Sequence, residues 1–247
     1  MYEIRERDIP EQTVVTEQRH VPVAELTDFI GAAMGRLEAV VARHGDRALG
    51  LVGDVRSAAD MALAVETATR HFGRLDAVVA AAGVVAAGGP LWQAGNAALE
   101  AVWSVNVLGT SQLISAAAPV LIANGPGANA RIVAVASSAG SLGLRHLAAY
   151  VAAKHAVVGL IRSVALDLAE YAVTANAVSP GSTRTLILEA SAAVYGLDSG
   201  ESFATQQPIG RLIEPSEVAA MVSWLCSPAS SAVTGANLAV DGGMSVV

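Results

Sequence analysis

The segment Arg131-Ile132-Val133-Ala134-Val135-Ala136-Ser137-Ser138-Ala139-Gly140 is an apolar run that ends in two serines, an alanine and a glycine. A short apolar run without polar alternation is typical of a strand that is covered on both faces. Stretches with helical spacing lie on either side of it, so the strand is predicted to belong to a parallel sheet. Such sheets bind ligands outside the carboxyl ends of their strands, which makes the residues after Ala136 candidates for chemistry.

The same alternation of apolar runs and amphipathic stretches continues along the chain. Strands are predicted at Thr13–Val21, Ala48–Val52, Ala77–Ala81, Arg131–Ala136, Thr174–Val178 and Asn237–Val240. Helices are predicted at Ser57–His71, Ala97–Ala123, Leu147–Tyr171, Leu186–Val194 and Ser216–Cys226, and residues 26–41 also have helical spacing. The order predicts an α/β fold with a doubly wound parallel sheet.

Composition narrows the possible classes of function. A chain of 247 residues, 53% of them hydrophobic, is long enough to bury one sizeable core. The formal charge of −7, without a basic block, argues against a nucleic-acid surface. The single cysteine, Cys226, can form no intramolecular disulfide, which fits a reducing compartment. The sequence shows neither a signal peptide nor a transmembrane run, so we expect a cytoplasmic protein without membrane contact.

Tyr150 and Lys154 form the pair with the clearest chemistry. Lys154 is the only lysine of the chain, and a spacing of four residues on a helix brings phenol and ammonium to one face. A neighbouring cation favours the ionised phenol, so the pair suits proton transfer near neutral pH. The alternative is an accidental pair on a helix surface, and the two residues alone do not decide between these interpretations.

Polar or glycine-containing turns follow the predicted strands. They are Gly53-Asp54-Val55, Ala82-Gly83-Val84, Ser137-Ser138-Ala139-Gly140, Ser179-Pro180-Gly181-Ser182-Thr183-Arg184-Thr185 and Val240-Asp241-Gly242-Gly243. Asn106 interrupts the apolar stretch of the helix predicted at Ala97–Ala123. Taken singly, the serines could cap a helix, Asn106 could be a satisfied core amide, and Pro180-Gly181 could be an ordinary turn.

Two histidines, His146 and His155, lie on either side of Tyr150. We expect surface positions for both, because no group of His, Cys and Asp residues in the sequence has the spacing of metal ligands. No metal site is therefore predicted.

In this order the motifs resemble the short-chain dehydrogenase/reductase family over roughly residues 46–247, which would form its catalytic domain. Tyr150 and Lys154 fit the family's Y-x-x-x-K, Ser137 lies thirteen residues before Tyr150, and Asn106 and Gly109 fit its N-x-x-G. The resemblance implies a Rossmann-like sheet and an NAD(P)-dependent oxidoreductase that interconverts an alcohol and a ketone by hydride transfer.

The resemblance also implies the roles of four catalytic residues. Tyr150 would exchange the proton with the substrate oxygen, and Lys154 would lower the phenol pKa and bind the nicotinamide ribose. Ser137 would orient the reacting oxygen. Asn106 would hold a water that links Lys154 to solvent.

The implied cofactor is NAD, with NADP as the alternative. The residues expected to contact it are Asp54, Val55, Ala82, Gly83, Tyr150, Lys154, Pro180, Gly181, Thr183 and Thr185. The expected substrate is a small apolar alcohol or ketone, because residues 186–207 are largely apolar and should cover the substrate site. The family further implies a homodimer or homotetramer.

Some motifs suggest one subgroup of the family. Ala80-Ala81-Ala82-Gly83 stands where N-N-A-G is usual, and this resembles the mycofactocin-associated actinobacterial relatives. Members of that subgroup are thought to hold NAD tightly and to pass electrons to a peptide-derived carrier.

The glycine-rich loop that receives the cofactor pyrophosphate is missing from its expected place. The family has T-G-x-x-x-G-x-G after its first strand, whereas residues 1–30 of this chain contain no glycine. The nearest match, Gly31–Leu37, lies within a helical pattern, and only 22 residues separate Gly31 from Asp54.

The segment 1–45 is instead predicted to be an atypical strand and helix. Its stretch Val21-Pro22-Val23-Ala24-Glu25-Leu26 weakly resembles the start of effector-binding domains found with bacterial transcription regulators. The first β–α–β unit is therefore predicted to be replaced or incomplete. Two functions remain open: an oxidoreductase with an altered front, or a catalytically impaired, regulatory relative that binds a ligand.

Overall fold

The computed structural model of the protein describes residues 13–14, 42, 44–86 and 89–246. The strands are β1 (Thr13–Val14), β2 (Ala48–Leu49), β3 (Ala77–Ala80), β4 (Arg131–Val135), β5 (Thr174–Pro180) and β6 (Asn237–Val240). The helices are α1 (Ala58–Phe72), α2 (Leu91–Trp103), α3 (Thr110–Ala123), α4 (Ala148–Asp167), α5 (Leu186–Val194) and α6 (Pro215–Leu225). The predicted order of strands and helices from Ala48 onward is confirmed.

Strands β3, β4, β5 and β6 form one parallel sheet in that order. Strands β1 and β2 form a second, two-stranded parallel pair, in which Thr13 lies opposite Ala48. Within the described residues no strand joins this pair to β3. The predicted replacement of the first β–α–β unit, the match at Gly31–Leu37 and the regulator-like segment fall almost wholly outside the described residues, so they stay predictions.

Helices cover both faces of the four-stranded sheet, as the doubly wound prediction requires. On β4, Ile132 belongs to one core cluster together with residues of α1, α3 and α4. The next residue, Val133, belongs to another cluster with Val178 and with Leu225 of α6. Successive residues of a strand point to opposite faces, so this division follows from the strand geometry. Full burial of each such aliphatic side chain contributes about 1.5–3 kcal/mol.

The ends of α1 follow from its sequence. The hydroxyl of Ser57 accepts a hydrogen bond from the Asp60 amide and caps the first turn, and Gly73 ends the helix with a φ of 78°.

The helix predicted at Ala97–Ala123 differs from its prediction. It begins earlier, at Leu91, has a non-helical residue at Gly95 and follows a π-helical path over Ser104–Gly109 between α2 and α3. Periodicity does not show such an interruption, because a π-turn shifts the register without changing which residue types are apolar.

Two helical stretches, Leu91–Ala123 and Ala148–Asp167, are long and apolar enough to cross a membrane by length and composition alone. Leu121 of the first and Ile161 of the second are fully buried in the core cluster that covers β4. We therefore assign both stretches to the core of the domain.

Candidate active site

The carboxyl ends of four parallel strands meet at one edge of the sheet. Ala80 pairs with Ala134, Val135 with Val178, and Pro180 with Val240. The turns that follow these strands, with Gly83, Ser137, Gly181 and Asp241, therefore lie side by side. This is the edge at which parallel sheets bind ligands.

Lys154 is buried beside Tyr150 at this edge. Its side chain is only 5% exposed, its Nζ donates to the Val135 carbonyl at 3.0 Å, and Nζ lies 5.7 Å from the centroid of the Tyr150 ring. The interpretation as an accidental pair on a helix surface is therefore wrong. The predicted common face of the two residues is confirmed.

The pKa values of this pair differ from the sequence expectation. Burial lowers the pKa of Lys154 to about 8, which still leaves most of the ammonium protonated at pH 7. Burial raises the pKa of Tyr150, and a hydrogen bond with the Ser137 side chain acts in the opposite direction. The expected lowering of the phenol pKa by Lys154 is absent, because loss of hydration dominates and Nζ is held at the Val135 carbonyl.

The Ser137 side chain caps the turn after β4 and also affects the pKa of Tyr150. Its hydroxyl oxygen accepts from the Ala139 amide at 3.2 Å and caps the short 3-10 turn Ser138–Gly140. The Ser137 side chain also acts to lower the pKa of the Tyr150 phenol, against the effect of burial. The interpretation of this serine as a helix cap is confirmed, and its role toward the substrate oxygen stays a prediction.

Asn106 lies within the π-helical stretch and is 1% exposed. Its Oδ1 accepts from the Val84 amide at 2.8 Å, and its Nδ2 donates to the Val84 carbonyl at 3.0 Å. The Asn106 backbone carbonyl accepts instead from the Thr110 hydroxyl at 2.8 Å. The amide is thus a satisfied core amide that holds the turn after β3, and the predicted water link to Lys154 stays a prediction.

Gly83 belongs to the turn that Asn106 holds. A Cβ atom at Gly83 would lie 3.4 Å from Asn106 Oδ1 and 3.5 Å from Lys154 Nζ. The structure therefore brings Gly83, Asn106 and Lys154 together, and the neighbouring Ala82 lies on the same turn.

Gly109 and Val55 show why the N-x-x-G pattern ends in glycine. A Cβ atom at Gly109 would lie 2.6 Å from Val55 Cγ2, closer than real Cβ atoms approach a neighbour. The missing side chain lets the π-helical stretch pack against the Asp54-Val55 turn. Sequence reasoning expected Val55 near the cofactor and gave Gly109 only as the end of the N-x-x-G pattern, so it missed this contact.

The Asp54 carboxylate is bound by a neighbour that the sequence analysis did not consider. Arg56 donates to Asp54 Oδ2 from Nε at 2.8 Å and from Nη2 at 2.6 Å. These hydrogen bonds lower the pKa of Asp54. The backbone amide of Asp54 donates to Asp60 Oδ2 at 2.8 Å, which fixes the turn.

The turn after β5 is tightly packed around Gly181. The Gly181 amide donates to the Val240 carbonyl at 3.1 Å, and a Cβ there would lie 2.5 Å from Gln207 Oε1. Gln207, which sequence reasoning missed, is 1% exposed, and its Oε1 has no hydrogen-bond partner among the described residues.

The hydroxyls of Thr183 and Thr185 serve the structure of the same loop. Thr183 Oγ1 donates to the Gly181 carbonyl at 3.0 Å, and Thr185 Oγ1 accepts from the Leu188 amide at 3.3 Å, which caps α5. Contact of these two residues with a cofactor stays a prediction, and Pro180 lies at the end of β5 beside them.

The donor set of this edge fits the nicotinamide and ribose half of a dinucleotide. The Lys154 ammonium has three N–H donors, and within the described residues only the Val135 carbonyl accepts from it. Gly83, without a side chain, lets the turn after β3 approach this ammonium. The groups that would hold the pyrophosphate fall outside the described residues.

Two hollows lie near this edge of the sheet, and Tyr150 lines the first of them. The first, here called the narrow cavity, has about 20 Å³ and is lined by Ala86, Gly89, Leu91, Ala94, Gly95, Ala98, Leu99 and His146 to Tyr150. Its volume has room for about one water molecule. The second, here called the wide cleft, has about 480 Å³ and is lined by Leu142, Gly143, Leu144, Arg145, Tyr195, Gln206 and Met244.

Residues 186–207 contribute Tyr195 and Gln206 to the wide cleft, and their predicted role in covering the substrate site stays a prediction. Within it Leu188, Ala192 and Phe203 form a small core cluster with Leu212. The predicted mobility of this segment stays a prediction.

The two histidines behave differently. His155 is exposed, and its Nδ1 lies 3.0 Å from the Val151 carbonyl, as expected for a surface residue. His146 is half-buried, has a φ of 64°, and its buried Nδ1 has no partner among the described residues. The expected surface position of His146 is therefore wrong, since the chain folds this residue into the wall of the narrow cavity. No group of His, Cys, Asp and Glu side chains in the described part of the chain could hold a metal ion.

Comparison with known proteins extends the resemblance toward the amino terminus. Residues 23–245 match the family model described as enoyl-(acyl carrier protein) reductase. The chain is 34% identical over 238 residues to 2,5-dichloro-2,5-cyclohexadiene-1,4-diol dehydrogenase of Sphingobium indicum, covering 96% of this chain and 91% of the relative. It is 37% identical over 203 residues to cis-4-hydroxycyclohexanecarboxylate dehydrogenase of Sinomonas cyclohexanicum, covering 82% and 79%.

A solved structure supports the same relationship. The 3-ketoacyl-(acyl-carrier-protein) reductase from Brucella melitensis, complexed with NADH, superposes with a TM-score of 0.77 at 30% identity. The superposition covers 85% of this chain and 84% of that one.

Proposed function

This chain belongs to the short-chain dehydrogenase/reductase family of oxidoreductases, and on that premise we propose that it interconverts a cyclic secondary alcohol and its ketone with NAD(H). The observation that carries the proposal is the buried Lys154 ammonium beside the partly buried Tyr150 ring at the carboxyl end of the sheet, where the turn after β4 also carries Ser137. NADP is the alternative cofactor.

The bound nicotinamide would supply the hydride for ketone reduction, or accept it from the alcohol carbon. In reduction, the Tyr150 phenol gives its proton to the carbonyl oxygen as that oxygen gains negative charge. In oxidation, the tyrosinate takes the hydroxyl proton while the C–H bond breaks. The raised pKa of Tyr150 keeps the phenol protonated at neutral pH, which suits the reductive direction.

Ser137 and Lys154 support this proton transfer. The Ser137 oxygen accepts from the Ala139 amide, so its own proton is available to Tyr150 or to the substrate oxygen. The remaining N–H groups of Lys154 would bind ribose hydroxyls, and its charge would stabilise the tyrosinate once cofactor and substrate have excluded water.

The substrate class rests on the hollows and on the relatives. The narrow cavity is lined mainly by alanine and leucine, and Leu142 and Met244 line the wide cleft. Two relatives are named for six-membered carbocycles that bear a hydroxyl group. Together these features favour a mostly apolar cyclic alcohol or ketone.

The proposal also covers the oligomeric state of the enzyme, its compartment and the carrier that reoxidises its cofactor. We expect a homodimer or homotetramer in the cytoplasm. By resemblance to the mycofactocin-associated subgroup, an external carrier would reoxidise tightly held NADH, which would make turnover with added NAD slow.

A second candidate function is ligand binding without turnover. The observation that favours it is the absence of glycine from residues 1–30, where the family has its pyrophosphate loop. The intact Asn106, Ser137, Tyr150 and Lys154 favour the enzyme.

Calorimetric titration with NADH and NADPH tests the proposal. We expect binding of at least one dinucleotide, and Tyr150→Phe should abolish turnover with little change in cofactor affinity. Tyr171→Phe, at an exposed tyrosine, is the matched control. The absence of binding of both dinucleotides would contradict the enzyme and favour the second candidate.

A further inference from the structure

His146 has an uncommon backbone conformation next to the catalytic tyrosine. It lies four residues before Tyr150 and has a φ of 64°, in the left-handed region that few residues other than glycine adopt, although histidine is enriched there together with asparagine and aspartate. Its buried Nδ1 has no hydrogen-bond partner among the described residues. Such a buried polar atom in the wall of a cavity is available to a ligand or a water as a hydrogen-bond partner.

Contacts from two sides hold this conformation. The Gly89 amide, in the segment after β3, donates to the His146 carbonyl at 3.1 Å. The Tyr195 hydroxyl, just after α5, donates to the Arg145 carbonyl at 2.5 Å. The His146 and Tyr195 rings lie 6.5 Å apart, centroid to centroid. The pair Arg145-His146 is thus fixed between the two segments that enclose the substrate site.

Each member of the pair lines a different hollow. His146 lines the narrow cavity together with Tyr150, and Arg145 lines the wide cleft together with Tyr195. The two hollows are thus bordered by consecutive residues, on the segment of chain that leads to Tyr150.

The charge of the wide cleft indicates what that other end carries. Arg145 is the only charged residue among those that line it, and its guanidinium has no partner within the described residues. No acidic side chain lines the wide cleft, so no protein carboxylate there neutralises this guanidinium. A carboxylate of the ligand can therefore pair with it and accept two parallel hydrogen bonds.

We propose that Arg145 and His146 anchor a carboxylate at the far end of the cyclic substrate, while its hydroxyl or carbonyl group reacts at Tyr150. The inference rests on the proposed function and deepens it. The guanidinium binds the carboxylate oxygens, and the His146 ring supplies a further N–H. Anchoring both ends of a ring aligns the reacting carbon, so the preference appears in kcat/KM.

The test compares two ring substrates that differ in one charge: cis-4-hydroxycyclohexanecarboxylate and the corresponding carboxamide. The measured quantity is the ratio of their kcat/KM values, carboxylate over carboxamide. We expect a ratio well above one, and a fall of about ten- to a hundredfold in Arg145→Gln, mainly through the KM of the carboxylate. An unchanged ratio in Arg145→Gln would overturn the proposal.

Variants of His146 separate anchoring from folding. His146→Gly removes the ring and relieves the strained φ, so it should lower the ratio while leaving the Tm unchanged or higher. His146→Asn should retain part of the ratio, because asparagine tolerates this conformation and keeps an N–H donor. If the ratio of kcat/KM values, carboxylate over carboxamide, does not change in His146→Gly, then His146 does not contribute to carboxylate binding.

Two controls lie away from the hollows. Arg47→Gln removes one positive charge just before β2, and Ala172→Gly relieves another positive φ, of 57°. Neither should change the ratio.

A binding measurement separates this inference from the proposed function. Cyclohexanecarboxylate should raise the Tm of the wild-type protein more than cyclohexanecarboxamide does, and Arg145→Gln should abolish the difference. Binding of the carboxylate without any turnover would contradict the proposed function and support the anchor. Turnover of both substrates with equal kcat/KM, together with equal Tm shifts for the carboxylate and the carboxamide, would support the proposed function and contradict the anchor.

Discussion

The side-chain amide of Asn106 forms two hydrogen bonds with the backbone of one residue, Val84, accepting at 2.8 Å and donating at 3.0 Å. This contact joins the π-helical stretch to the turn after β3, and through Gly83 it sets the wall beside Lys154. The asparagine is thus a positioning residue in the described structure, whichever water it also binds.

Replacement of Asn106 by alanine should destabilise the protein. The change leaves the Val84 amide and carbonyl without their partner, and each unsatisfied group costs about 1–3 kcal/mol. We expect a loss of about 2–4 kcal/mol in the free energy of unfolding, measured by urea denaturation. Asn124→Ala, which removes one hydrogen bond to the Leu75 carbonyl, should cost less. If Asn106→Ala loses no more free energy of unfolding than Asn124→Ala does, then the two hydrogen bonds between Asn106 and Val84 contribute little to stability.

The depressed pKa of Lys154 predicts a stability that rises with pH. In the folded state its pKa is about 8, against an ordinary value of 10.5, so between these values the unfolded chain holds a proton that the folded chain has released. Raising the pH from 8 to 10 should therefore add about 2 kcal/mol to the free energy of unfolding.

The window ends at pH 10, because Tyr150 has a raised pKa and its unfolded form ionises above that pH, which lowers stability. Lys154→Met should abolish the slope and stabilise the cofactor-free protein at pH 7. The same slope in Lys154→Met and wild type would refute the assignment.

Ser137→Ala should shift the acid–base behaviour of the site. The Ser137 hydrogen bond opposes the rise in the pKa of Tyr150, so its removal should move the pH profile of alcohol oxidation to higher pH. The loss of kcat should be about 10²–10⁴-fold, typical of a group that acts in proton transfer. The control is Ser138→Ala, whose hydroxyl points to Met244 Sδ instead. A similar shift of the pH profile in both variants would contradict the role of Ser137.

Gly109→Ala should destabilise the protein through Val55. The added methyl group would collide with Val55 Cγ2, and overpacking of this kind costs about 1–3 kcal/mol. Val55→Ala in the same chain should recover part of the loss, which a double-mutant cycle measures. Gly159→Ala, on an exposed face of α4 with open space around it, should be neutral or stabilising. Additive effects of the changes at 55 and 109 would count against the contact.

Local patterns predicted much of the fold and part of the site. The apolar run Arg131–Ala136 and its neighbours marked the parallel sheet, and the spacing of Tyr150 and Lys154 placed the two side chains on one face. Both follow from the periods of strand and helix, which act over a few residues. The family motifs then assembled Ser137 and Asn106 with them.

The contacts of these residues were not predictable in the same way. Val84 lies 22 positions before Asn106, and α1, β3 and α2 lie between Val55 and Gly109 in the chain. Such partners depend on how elements pack, which residue spacing does not encode.

By itself, the sequence determined on which element each candidate residue lies and which side chains are suited to the proposed chemistry, because side-chain type and backbone periodicity are local properties. Only the tertiary structure decided how those residues behave. It buried Lys154 and Tyr150 so that loss of hydration moves their pKa values in opposite directions. It also held His146 in a left-handed conformation beside Arg145, whose guanidinium has no partner in the part of the chain that the structure describes. Hydration and strain depend on atoms brought together from distant parts of the chain, and folding alone brings them together.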